Sequence, residues 1–517
     1  MKKLRVLMFL PLVLGVLVGC DNTIDPIPVT SAEGQELKMS GNEIILDFYA
    51  LNDLHGSVYE AISANPTDTE IGMSKIGAFM RAKREENLGG SFFISNGDAY
   101  QGTADSNITG GKIIMDMFNL LDFESNTVGN HEFDWTIAKL IEAQDEVGTK
   151  FPLLAANIID QVETQKTGEK SYVKWADPYK VVTRGVGDNQ VKVGIIGSIA
   201  HGLERTILAS AVRGYEFEEP KDIVIEHAEY LRNEEDCDVI IYTTHGDAGT
   251  SGKDGLIHPE IANYVDVIFT GHAHRSWNTP IINSSDIRIP VLQGMSSGKR
   301  VSYVQLGVDK NTREITVKNG NGAGEVLGYD RVAVHGTDPS IDAIIKKWDD
   351  KEIAKVKNRK LGSVSQEISR SKLSDFLAEE MLKYALTQES DVIAAMHNGS
   401  GGVRDVLRKG NVTYGDIYKI FPFDNTMYFA SLFGWEVKGM LAKYPASKSS
   451  LATTAIDDYT VYRIMLISFI AEDETVALDG SDLGNVKPGT EIIMRDKFPR
   501  DIVADAFTNH KNNKPLG

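Results

Sequence analysis

Seven side chains that suit hard or borderline metal ions recur along the sequence in short, widely separated clusters: Asp53 and His55, Asp98, Asn130, His245, and His272 with His274. Carboxylate, imidazole and amide oxygen are donors for Zn, Mn, Fe or Mg rather than for thiophilic ions. Seven donors are too many for one tetrahedral ion. They suit two ions sharing a bridging carboxylate, and a pair about 3.5–4 Å apart clamps the attacking and leaving oxygens of a displacement at phosphorus. Any one cluster alone reads more simply as a turn carboxylate or a solvated histidine. Their number and order favour one assembled site.

Each cluster follows an apolar run. FYALNDLHG carries Asp53 and His55, FFISNGD carries Asp98, TVGNHEFD carries Asn130, IIYTTHGD carries His245, and VDVIFTGHAH carries His272 and His274. Runs of about four to eight apolar residues ending in Gly, Asp or Asn read as buried strands that feed tight turns. The pattern therefore predicts ligands gathered at strand exits.

The series DLHG, NGD, GNHEFD, THGD and GHAH resembles the calcineurin-like metallophosphoesterases, specifically the bacterial 5′-nucleotidase/UDP-sugar hydrolase branch; GMSKIGAFMR (72–81) and VLQGMSSGKRV (291–301) look like the same branch. The resemblance implies a four-layer α/β/β/α metallophosphoesterase domain over 42–330 and a smaller α/β substrate-binding domain over 359–517. It implies two divalent ions (Zn, Mn, Mg or Fe), one held by Asp53, His55, Asp98 and His274 and the other by Asp98, Asn130, His245 and His272. His131 and Asp134 match the family's catalytic pair. Two cations acidify a shared water, so hydroxide is available near neutral pH. No Ser nucleophile elbow or P-loop lysine motif supports a covalent or NTPase route.

Lys2, Lys3 and Arg5 precede an apolar stretch, Val6 to Val18, that is shorter than a bilayer-spanning helix and ends in Leu17-Val18-Gly19-Cys20. This resembles a lipobox, which implies a lipoprotein signal peptide over 1–19, lipidation of Cys20 and extracytoplasmic attachment to a membrane. Residues 20–41, rich in Pro, Thr, Ser and Glu, read as a flexible tether. Cys237 is then the one remaining cysteine, so stability rests on core burial and bound metal. The net charge of −19, or −22 without the leader's three cations, argues against a nucleic-acid polymer as partner. A small phosphorylated ligand still binds, because a metal pair inverts the local field.

Beyond the ligand clusters, Asp338-Pro339 offers an N-cap and a first-turn proline, and Ile341, Ile344, Ile345 and Trp348 follow at helical spacing. A linker helix over 338–358 is the natural reading. In the second module, SDVIAAMHNGSGGVRD brings Arg404 behind a glycine-rich loop, and an arginine fork matches phosphate oxygens. The resemblance assigns Arg404 to phosphate or nucleotide contact, with Arg370 and Asn398 as further contacts. IFPFDN places Phe423 and Asn425 at the family's stacking aromatic and amide contact, and SFIAEDET aligns Phe469 with the second aromatic. Where relatives carry Gly-Gly-Asp-Gly, this chain has Asp473-Glu474-Thr475-Val476. The implied activity is release of phosphate from 5′-nucleotides. UDP-sugar or 2′,3′-cyclic nucleotide hydrolysis is the enzymatic alternative, and a non-catalytic surface nucleotide-binding protein or adhesin the alternative from another class.

Overall fold

The computed structural model describes residues 25–63, 65–248, 257–444, 446–448, 456–472, 477–478, 481–482, 491–494 and 497–509. Cys20, the leader and the turn Asp473–Val476 lie outside the described residues.

Two sheets face each other in the first domain. One runs in the order Ile315–Val317, Val301–Asp309, Glu43–Leu51, Ser91–Ser95, Ser125–Thr127, Leu153–Leu154. The other runs Ser276–Asn278, Val291–Gly294, Val267–Thr270, Val239–His245, Val191–Ile199, Tyr179–Arg184. Their inner faces share a core in which Leu46, Phe48 and Ile94 meet Ile195, Ile241 and Phe269. Strands buried on both faces read as continuous apolar runs, which is why the sequence shows little alternation here. Helices cover each outer face. Met73–Glu86 and Lys112–Leu120 pack beneath the first sheet, and Pro220–Asn233 beneath the second. The result is the α/β/β/α layering.

The central strands of both sheets are parallel: Glu43–Leu51 with Ser91–Ser95, which pairs with Ser125–Thr127, and Val191–Ile199 with Val239–His245, which pairs with Val267–Thr270. Parallel neighbours align their carboxyl ends on one edge of the sheet, the edge at which open α/β sheets bind ligands. Ligand clusters that end successive strands are therefore delivered to one place.

The second domain is smaller. Its sheet runs Ala446–Lys448, Val392–Met396, Val461–Ile467, Met427–Phe433, Glu491–Met494, and the long helix Arg370–Gln388 packs with Pro499–Asn509 around its own core. Between the domains, Pro339–Trp348 is α-helical, capped by the Asp338 carboxylate accepting from Ser340 N. A π turn over Asp349–Ile353 interrupts the helix before Ala354–Lys357. Ile341, Ile344, Trp348 and Ile353 bury against the first domain, so the linker belongs mechanically to that body.

The tether reading of 20–41 needs correction in its second half. Val29, Ala32 and Leu37 are buried, Val29 N donates to Leu120 O at 2.9 Å, and Met39–Ser40 pairs with Glu43–Leu51. Three apolar side chains in a polar stretch anchor it to the domain, a long-range packing that composition does not reveal. Among the described residues, no helix is long and apolar enough to cross a membrane.

Candidate metal centre

The loops leaving the parallel strands bring all seven candidate ligands together. Asp53, His55, Asp98 and His274 have donor atoms within 4.8 Å of one another, as do Asp98, His245 and His272. Asn130 Oδ1 lies 3.2 Å from both His245 Nε2 and His272 Nδ1, which places it in the second group. Asp98 belongs to both, and its Oδ2 is the hub: 3.2 Å from His245 Nε2, 3.8 Å from His55 Nε2 and 4.0 Å from His131 Nε2.

The tautomers follow from the second partners of the rings. His55 Nδ1 faces Gln101 O at 2.9 Å and His245 Nδ1 faces Asn96 O at 2.8 Å, so each Nδ1 carries a hydrogen and each Nε2 is the atom turned to the centre. His55 Nε2 and His274 Nε2 then lie 2.9 Å apart. Two neutral imidazole lone pairs this close repel each other, and a divalent cation between them reverses the sign of that interaction. The donor set fits a pair of such ions.

Backbone conformation carries part of the cost. Asp53, His55, Asp98, His272 and His274 all have left-handed φ between 49° and 70°. Asp, Asn and His tolerate this region better than other side chains, and its use is concentrated at functional sites. Two glycines are required by space: a Cβ on Gly129 would sit 2.3 Å from Asp98 Oδ1, and one on Gly97 (φ 85°) 2.7 Å from His245 Nδ1.

The electrostatics are those of carboxylates and imidazoles packed closely together. Burial raises Asp53, but His274 and His245 outweigh it and hold the carboxyl at about 2. Burial likewise opposes ionisation of Asp98, yet His245, His131 and His55 keep it well below the usual range. For His245, burial is overcome by Asp98 and Asp53, which push it to about 10. His272 falls to about 4 through burial and the neighbouring His245, and burial with His274 takes His55 well down.

His131 sits beside this cluster. Its Nδ1 pairs with Asp134 Oδ2 at 2.8 Å, and its backbone N donates to Asp98 Oδ1 at 2.8 Å. Burial lowers its pKa, but Asp134 and Asp98 win and raise it above the ordinary histidine value. Nε2 is left facing the centre.

Sequence reasoning missed the brace beneath these loops. Glu132 is buried, and its carboxylate accepts from the backbone N of Asp98 (2.8 Å), Ala99 (2.9 Å) and Gly129 (2.7 Å). It ties the NGD loop to the GNHEFD loop. Its signal was present in GNHEFD as the acid between His131 and Asp134. Asn52 does similar work: its amide donates to Asp53 Oδ2 at 2.6 Å and its oxygen accepts from Gly294 N at 2.7 Å.

The second domain reaches the centre through Arg404. Its guanidinium lies 3.4 Å from His55 Nε2 and 5.6 Å from the Phe423 ring centroid, while Phe423 also packs 5.6 Å from the His131 ring. Gln101 and Asn107 donate to Pro422 O at 3.2 and 3.0 Å, fixing that loop across the domain boundary. Arg370 is exposed, lines one cavity with Arg404, His55 and His274, and donates from Nε to Val403 O at 2.6 Å. Asn398 and Asn425 lie apart from the metal ligands in a narrow crevice with Phe423, and Asn425 Oδ1 accepts from Ser468 Oγ at 3.2 Å. Phe469 packs against the second domain's core and makes no ring contact with Phe423 among the described residues. The structure thus brings Arg404, Arg370 and Phe423 towards the candidate ligands, and does not bring Asn398, Asn425 or Phe469 there.

A model of calcineurin-like phosphoesterases matches residues 46–276, and a model of the 5′-nucleotidase C-terminal domain matches residues 352–462. The chain is 26% identical over 442 residues to protein UshA of Yersinia enterocolitica, covering 77% of this chain and 74% of that protein. It is 24% identical over 421 residues to endonuclease YhcR of Bacillus subtilis, covering 77% of this chain but spanning only 32% of that longer protein. A 5′-nucleotidase precursor from Thermus thermophilus superposes with a TM-score of 0.70 at 19% identity, over 90% of this chain and 97% of the other. With both domain models matched in order and a His/Asp cluster arranged for two ions, the chain carries a calcineurin-like phosphoesterase domain followed by a 5′-nucleotidase C-terminal domain and is a metal-dependent phosphoesterase.

Proposed function

We propose that the protein is an extracytoplasmic, lipid-anchored 5′-nucleotidase that releases phosphate from 5′-nucleotides, with Asp53, His55, Asp98, Asn130, His245, His272 and His274 as the ligands of the metal pair. The observation that carries the chemistry is the shared Asp98 hub with the His131–Asp134 pair on one side and Arg404 on the other. A bound ion pair supplies hydroxide at neutral pH and screens phosphate charge. The rest falls to the chain. Arg404, a cation whose nearest described partner is a histidine nitrogen, receives phosphate oxygens in its planar fork. Asp134 fixes the His131 tautomer and favours the imidazolium, so Nε2 carries a proton towards the oxygen on which charge grows. The leaving alkoxide takes that proton.

The anchor rests on the leader and Cys20 in the sequence, and the nucleotide on family resemblance together with Phe423 beside His131. The test is turnover of AMP, UDP-glucose and an aryl phosphate with Mn, Zn or Mg, and with chelator. Metal-dependent release of phosphate from AMP is expected. Turnover of the aryl phosphate but not AMP would remove the nucleotide assignment, and no metal-dependent turnover of any substrate would favour a binding protein.

A further inference from the structure

A cavity of about 350 Å³ opens beside His55 and His274 and runs between the domains. It lies at the small end of the roughly 300–1,000 Å³ typical of ligand pockets. Two of its three carboxylates, Glu70 and Asp405, are paired with cations. Glu70 accepts from Lys419 Nζ at 2.8 Å and from the Ser57 hydroxyl at 3.0 Å. Asp405 accepts from Arg408 at 3.3 Å and lies 3.6 Å from Lys419, while Asp68 is exposed and accepts from Asn65 at 2.8 Å. The same cavity is lined by Arg404 and Arg370 from the second domain and by Lys299 from the first. Lys299 is half-buried, and among the described residues its ammonium makes no hydrogen bond or ion pair.

Lys299 is also held in place. It follows a loop in which Met295, Ser297 and Gly298 all have left-handed φ, between 54° and 63°. Ser297 N donates to Asp53 O at 2.7 Å, and Lys299 N donates to Ser296 O at 3.1 Å. A strained loop tied to the backbone of a candidate metal ligand fixes the lysine's origin relative to the metal centre. In a chain of net charge −19, a lysine that lines a cavity with no carboxylate partner among the described residues is a local construction rather than part of a general basic surface. Arg404, the nearest cation to the ligands, meets the scissile phosphate, which leaves Lys299 for another anion.

We infer that this cavity holds a second anion subsite centred on Lys299, and that the phosphate esters hydrolysed best carry a carboxylate or a second phosphate near the scissile one. This deepens the phosphohydrolase reading and rests on it. The experiment compares kcat/KM within two matched pairs using the metal-loaded protein: glycerol 3-phosphate against 3-phosphoglycerate, and AMP against adenosine 3′,5′-bisphosphate. The more anionic member of at least one pair is expected to be favoured, and the pair that responds tells carboxylate from phosphate. Lys299→Ala should lower that ratio about tenfold or more, the scale of a lost charge-assisted hydrogen bond, Lys299→Arg should restore most of it, and Lys299→Glu should invert it. Ratios of one or below in the unaltered protein, or a ratio unmoved by Lys299→Ala in a protein with unchanged melting temperature, would overturn the subsite while leaving the phosphohydrolase intact. Absence of turnover on all four esters would instead overturn the reading beneath it.

Discussion

The metal half of the cleft and the half contributed by the second domain are built differently. Asp53, His55, Asp98, Asn130 and His245 are buried, and left-handed backbone sets Asp53, His55 and Asp98 on loops braced from behind by Glu132 and Asn52. Arg404, Phe423, Asn398 and Asn425 are only half-buried, Arg370 is exposed, and the glycine-rich loop before Arg404 gives Asn398 Oδ1 no hydrogen-bond partner among the described residues. A metal pair tolerates little displacement of its donors, so the first half is over-determined. A binding surface recognises whatever ester the cell offers, and its loops are free to diverge.

If that contrast holds, the largest loss comes from the hub. Asp98→Asn removes the one carboxylate common to both groups while keeping its shape, and is expected to cost at least ~10³-fold in kcat/KM, since supporting residues alone cost about 10–100-fold. Metal content by elemental analysis should fall with it. Asn398→Ala, on the other half, is the matched control and should change kcat/KM by less than about threefold, because a half-buried side chain in a crevice apart from the ligands touches none of the donors. Equal losses at the two positions would erase the distinction.

Glu132→Gln tests the brace without touching a ligand. An amide replaces one acceptor oxygen by a donor, so at least one of the three backbone N–H groups now facing the carboxylate loses its partner. Mn²⁺ affinity by titration calorimetry should weaken about 10–100-fold in a protein that remains folded by circular dichroism. Unchanged affinity would mean that the NGD loop holds its shape alone.

The protonation pattern gives a third check. At neutral pH the metal-free cluster carries a proton on His245, pushed to about 10 by Asp98 and Asp53 against burial, whereas His272, taken to about 4 by burial and His245, is already neutral. Coordination needs the Nε2 lone pair of His245, so loading releases that proton, and below pH 10 affinity should rise about tenfold per pH unit for it. Calorimetry in buffers of different ionisation enthalpy should report about one proton per metal pair at pH 7. A pH-independent affinity would place His245 outside the ligand set.

These contrasts also explain what could be read from the sequence. The ligand clusters were legible because each sits on a strand exit and because Asp, Asn, His and Gly are the types that left-handed turns accept. The layering followed from apolar runs too continuous for one-faced strands. What stayed hidden depends on distant partners: the docking of Val29, Ala32 and Leu37, the π turn at Asp349–Ile353, and the Gln101 and Asn107 bonds to Pro422. Glu132 stood in plain view within GNHEFD, but nothing in its spacing says that its carboxylate turns towards backbone amides rather than metal.

The smallest expected effect is at the aromatic residues, where the second domain's reading is most open to revision. Phe423 already has contacts with His131 and with the Arg404 guanidinium, so ring surface that a base would use is engaged, and Phe469 packs into its own domain's core. Stacking on an aromatic is worth about 1–3 kcal/mol per base. If both rings clamp a base, Phe423→Ala and Phe469→Ala should each raise the KM for AMP about tenfold or more and leave an aryl phosphate less affected. The packing of these rings favours a split: Phe423→Ala raises KM for both esters a few-fold by loosening Arg404, and Phe469→Ala leaves KM near its starting value while lowering melting temperature by a few degrees. A selective tenfold loss for AMP at Phe469 would show that the domains rearrange around a nucleotide, and the second half of the cleft would then be shaped by its ligand as closely as the first is by its metals.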